Sequence, residues 1–143
     1  MARWEVKSLF VLVCVASWAI LIGPIATVGW WLLGRDTEYA PKFSERRFED
    51  IHPGMSVQEV EALLGPPLEI ASYPGGCFVG VYEVEDGRRS HLRPPLTYIC
   101  PVPGPDRETY FYTRPGGAAS YYVRDVEFTG GQVTSIRASL YSD

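Results

Sequence analysis

The chain reads as an α+β protein: an N-terminal transmembrane helix, then two short helices packed on an antiparallel β-sheet. Three observations predict this. Residues 8–33 carry no charged side chain. Residues 48–67 hold a turn, a helix-cap pattern and a Gly-Pro-Pro stop. Beyond them, aromatic and β-branched runs alternate with Gly and Pro turn signals. With 143 residues there is room for one domain, and 12 Pro and 14 Gly favour a turn-rich body. A formal charge of −4 argues against a nucleic-acid partner. No low-complexity run or internal repeat is present.

The expected organisation is an anchor over 1–34, a linker over 35–43 and a folded domain over 44–143. At ~1.5 Å rise per residue, the 8–33 run is long enough for a bilayer core of ~30 Å. Trp30 and Trp31 fall where an interfacial aromatic belt would sit. A cleaved signal peptide and a lipoprotein signal around Cys14 are the competing readings. Arg3 and Lys7 favour an outside location for the C-terminal domain, while Arg35, Lys42, Arg46 and Arg47 favour the reverse. The preferred expectation is a single-pass membrane protein with an extracytoplasmic domain.

Ser44 is expected to cap a short helix over 45–50, with Phe48 and Ile51 on one face. His52-Pro53-Gly54-Met55 then turns the chain. Ser56 and Glu59 have capping-box spacing. Val57, Val60 and Leu64 share one side of the following helix, flanked by Leu63. Gly65 suits the left-handed position after it, and Pro66-Pro67 forbids continuation.

Residues 68–73, 77–85, 96–100 and 108–114 are expected as strands, with Asp86-Gly87 as a hairpin turn. Arg88, Arg89, His91 and Arg93 form a basic loop that is either solvated surface or a contact for lipid headgroups or an acidic partner. The clearest hairpin joins 121–128 to 132–141 through Gly130-Gly131. Val133 and Ile136 break its period of two, which calls for a bulge or a sheet with both faces partly covered. Arg124 shares parity with Val126 and Phe128, which places it at the sheet edge.

Phe48, Ile51, Gly54, Met55, Ser56, Glu59, Val60, Leu63, Leu64, Gly65 and Pro67 resemble, in order and spacing, the signature of the small outer-membrane assembly lipoproteins (BamE, SmpA or OmlA). The final hairpin is a weaker echo of the same family. The resemblance implies two helices on one face of an antiparallel sheet and a protein-interaction role in envelope assembly. The family normally carries a lipidated Cys at its mature start, where a membrane helix is expected here instead. The alternative is an inhibitor-like module presenting Tyr73, Tyr110, Tyr112, Tyr121 and Tyr122 to a target enzyme.

Cys77 and Cys100 can pair if the domain is exported; two buried thiols are the alternative. His52 and His91 lack metal-ligand spacing with a Cys, Asp or Glu. No G-x-S-x-G or phosphate-cradling loop occurs. No catalytic residue, metal or cofactor is expected. The expected partners are the membrane and a protein, with Arg88, Arg89, His91, Arg93, Tyr110 and Tyr112 as contact residues.

Overall fold

The computed structural model describes residues 26, 28, 29, 35–94, 100 and 104–142. Eight strands dominate: β1 (Thr37–Tyr39), β2 (Glu69–Tyr73), β3 (Gly80–Glu85), β4 (Arg88–Arg93), β5 (Arg107–Phe111), β6 (Thr113–Pro115), β7 (Ser120–Thr129) and β8 (Gln132–Ser142). Two short helices precede β2, namely α1 (Glu45–Phe48) and α2 (Val57–Leu64). The six-stranded antiparallel sheet has the order β4-β3-β2-β5-β7-β8, and β1 pairs β6 separately.

This corrects the α+β expectation with its membrane helix. The described chain is mainly β, because its helices have only four and eight residues. A spanning helix needs ~20 apolar residues. Among the described residues no helix is long and apolar enough to cross a membrane. The 8–33 run lies outside the described residues except at 26, 28 and 29. The single-pass anchor, the membrane as partner and the membrane localisation are therefore withdrawn.

The signature folds as its spacing predicts. The Ser56 hydroxyl accepts from Glu59 N–H at 3.3 Å, and Glu59 Oε2 accepts from Ser56 N–H at 2.7 Å. Val60 and Leu64 are fully buried. Gly65 closes α2 at φ 78°, and a Cβ there would meet Lys42 Cβ at 2.7 Å. Ser44 flanks α1 in an extended conformation but makes no side-chain cap bond, and α1 stops at Phe48.

The turn before α2 docks on the last hairpin. Gly54 N–H donates to Val133 C=O at 2.9 Å, and Val133 N–H donates to Met55 C=O at 2.8 Å. This seats the apolar stripe of α2 on one sheet face. Register aligns Leu92, Tyr82, Ile70, Tyr110, Val126 and Ile136 as one row across all six strands. The middle of that row, with Phe128 and Val133, forms the core with Phe48, Ile51, Val60 and Leu64. Tyr110 and Phe128 meet edge to face, centroids 4.8 Å apart.

Three further expectations change. The supposed linker carries β1; Ala40 is buried in the core and Phe43 packs against it. Apolar side chains at 40 and 43 give that segment something to bury. The basic loop is strand β4, folded onto β3 by Asp86-Gly87 with φ 50° and 74°. The aromatic run divides at Tyr112 into β5 and β6. The β7–β8 hairpin forms with the expected bulge, between Glu127 and Phe128. Residues 96–99, expected in a strand, lie outside the described residues.

Candidate interaction surface

The two helices cover the β2–β5–β7 part of their sheet face and leave the β3–β4 hairpin open. β4 is exposed along its length apart from half-buried Ser90, and Leu92 is 42% exposed. On this hairpin the four predicted basic residues fall into two pairs. Arg89 lies over the Tyr82 ring, 5.5 Å from its centroid, and its Nη2 is 2.6 Å from Glu108 Oε1. Arg93 pairs with Glu69, and its Nε is 3.4 Å from Glu83 Oε1. Arg88 and His91 are exposed and, among the described residues, have no ion pair. Arg89 and Arg93 thus brace the hairpin, while Arg88, His91 and Leu92 present one apolar and two basic side chains at its edge.

A largely apolar groove of 510 Å³ adjoins the hairpin turn, lined by Pro66, Pro67, Leu68 and Val84 together with Pro41, Gly87 and the charged side chains of Lys42 and Asp86. Its floor follows from the helix stop, because Pro66-Pro67 turns the chain from α2 directly into β2. A smaller recess of 320 Å³ near the start of α2 is lined by Asp106, Arg107 and Glu108 among others. Its acids are committed: Asp106 accepts from Gly75 N–H at 2.6 Å, and Glu108 holds Arg89.

Tyr110 and Tyr112 belong to the core rather than to a contact surface, at 4% and 0% exposure. They share parity with buried Ile70 through the β2–β5 register, which turns them under α2. Tyr73, Tyr121 and Tyr122 are half-buried, and Tyr121 packs on Tyr141. The Tyr112 hydroxyl is buried and, among the described residues, has no hydrogen-bond partner. Burial first, and then the charge of Glu61, pushes its phenol well above the usual tyrosine value.

The signature residues divide between core and turn. Phe48, Ile51, Val60 and Leu64 are core, and Met55 and Leu63 pack against them. Gly54, Ser56, Glu59, Gly65 and Pro67 build the turn, cap and stop. His52 lies in the turn, its Nδ1 3.2 Å from Pro53 C=O. Cys77 and Cys100 form a disulfide, with Cα atoms 4.3 Å apart. Among the described residues, no three His, Cys, Asp or Glu side chains converge as a metal-binding group.

Two polar assemblies escaped sequence reasoning. Arg124 lies on the second strand from the edge, not at the edge. Its Nε is 2.8 Å from Glu45 Oε2, and its guanidinium lies 5.9 Å from the Phe48 ring centre. It closes the end of the core that α1 leaves open, which explains its parity with Val126 and Phe128. Asp125, on the opposite face, is 3% exposed. Its Oδ1 is 3.2 Å from Arg137 Nε, and its Oδ2 is 3.1 Å from Arg137 Nη2. Burial raises its carboxyl value, and Arg137 opposes that rise.

The fold and surface define a mainly β module whose six-stranded sheet has one helix-covered face and one exposed basic edge. No protein-family model, no curated protein and no solved structure matches the chain.

Proposed function

We propose that the chain is a non-catalytic protein-interaction module that engages an acidic protein surface through the β3–β4 hairpin. The observation that carries this reading is the division of labour on β4. Arg89 and Arg93 are held by carboxylates, whereas Arg88, His91 and Leu92 are exposed and, among the described residues, without a carboxylate partner, and a groove adjoins the hairpin turn. A sheet edge presenting unengaged basic side chains near apolar surface is the arrangement of a binding patch. The resemblance of the signature to the assembly lipoproteins favours an accessory of this kind. The inhibitor-like alternative loses its main contact set, because Tyr110 and Tyr112 are core rings.

Charge reversal tests the proposal. Arg88→Glu combined with His91→Glu leaves every ion pair of the hairpin in place; the carboxylate introduced opposite Glu85 lowers the melting temperature by a few degrees at most, and the far-ultraviolet spectrum stays at its wild-type value. Recovery of a crosslinked cellular partner falls by about tenfold or more. Undiminished recovery with both reversals would contradict the assignment.

A further inference from the structure

The two edges of the six-stranded sheet are built differently. β4 carries Arg88, Arg89, His91 and Arg93 among its six residues. Charged edges resist pairing with a foreign strand. β8 has eleven residues, no Pro and a single charged side chain, Arg137. That guanidinium is already held by Asp125 of its own sheet.

Backbone direction decides what the β8 edge offers. Arg124 on β7 donates its N–H to Thr113 Oγ1 at 2.8 Å, and its C=O accepts from Tyr112 N–H at 2.9 Å. Both groups point away from β8. Successive residues alternate, so Val123 and Asp125 point toward β8 and bond to Ser139 and Arg137 opposite them. The N–H and C=O groups of Ile136, Ala138 and Leu140 therefore point outward. Below the bulge the outward groups of Val133 are already taken by Met55 and Gly54. Among the described residues nothing pairs with this edge over 136–140, a stretch centred on Ala138.

We propose that this edge pairs antiparallel with the same edge of a second copy, about a two-fold axis through Ala138, to form one continuous sheet. In this register Ile136 faces Leu140 of the second copy and Ala138 faces its own counterpart. Apolar side chains then meet along the helix-covered face. Arg137 faces Ser139 of the second copy, so no like charges oppose each other, and Arg137 keeps its bond to Asp125. All the outward groups of the open stretch find partners. Leu140 and Tyr141, 45% and 47% exposed, lie within the joined strands. Moving the axis to Ile136 would drive the second copy's Leu140 onto Gln132, where Ser56 already bridges. The free length and the charge pattern thus favour this register of a self-complementary, isologous contact.

Sedimentation equilibrium of the full chain tests this, with a non-ionic detergent present to keep the apolar 8–33 run from associating. The wild type sediments as a dimer in the micromolar range. Ala138→Pro removes one outward N–H and no bond to β7, so it weakens the dimer by about tenfold or more while circular dichroism stays unchanged. Ser139→Arg sets like charges opposite each other and weakens it comparably, whereas Ser139→Glu meets Arg137 of the second copy and tightens it. A wild type that stays monomeric to hundred-micromolar concentration overturns the proposal, as does a dimer insensitive to all three changes. If Ala138→Pro fails to fold, the opposite signs at the exposed Ser139 position decide.

Discussion

Two buried polar groups show how single residues set the stability of this domain. The Tyr112 hydroxyl has lost water without gaining a partner among the described residues. Its phenol value is raised on folding, so its contribution is intact below the unfolded value of ~10 and is lost as pH rises beyond it. Tyr112→Phe should therefore raise stability by ~1 kcal/mol in urea melts at pH 7 and should flatten the fall above pH ~10. Equal or lower stability would mean that the hydroxyl is satisfied after all. Asp125 has the same sign for the same leading reason, opposed here by an ion pair. Burial raises its carboxyl value, so the stability tied to its protonated form is present at acid pH and lost as pH rises through the folded value. At neutral pH the carboxylate depends on Arg137, whose side chain is 61% exposed and partly screened. Arg137→Ala should cost ~1–2 kcal/mol, and Asp125→Asn less. A larger loss for Asp125→Asn would contradict burial as the dominant effect. Sequence parity paired Tyr110 with Tyr112 but could not say which face of the sheet α2 covers. That depended on a docking contact between Gly54 and Val133.

At the scale of elements, what could be read was what closes locally. The capping box, the Gly-Pro-Pro stop and the Gly130-Gly131 hairpin each complete their hydrogen bonds within a few residues. Ser56→Ala should cost ~1 kcal/mol by chemical denaturation, and no measurable loss would refute the cap. Gly54 sits at φ 92°, so Gly54→Val should cost ~1–3 kcal/mol, read as a fall in melting temperature. β1 and β4 were hidden for the opposite reason. Arg-Arg-Ser-His-Leu-Arg has no apolar alternation, and it becomes a strand through backbone pairing with β3. Thr37–Tyr39 meets Thr113–Pro115 far along the chain, beyond the reach of a local pattern. The Cys77–Cys100 bridge closes a separation of 23 residues, so Cys77→Ser should cost ~3 kcal/mol in oxidised protein. Its absence should make no difference under reducing conditions.

For the whole molecule, the sheet order turns one chain into two unlike edges. The order β4-β3-β2-β5-β7-β8 places the basic hairpin at one side and the charge-poor β8 at the other, with the helices over the middle. That arrangement is why the basic residues were legible as a cluster but not as a surface. Their role depends on which of them Glu69, Glu83 and Glu108 neutralise, and only the sheet brings those acids across. Site-specific photocrosslinking in cells examines the central claim most directly, with the probe placed in turn at Arg88, His91 and Leu92 on β4 and at Glu49 beside α1. The account predicts one discrete protein adduct from the three β4 positions and none from Glu49. Adducts from Glu49 alone, or none from β4, would contradict it.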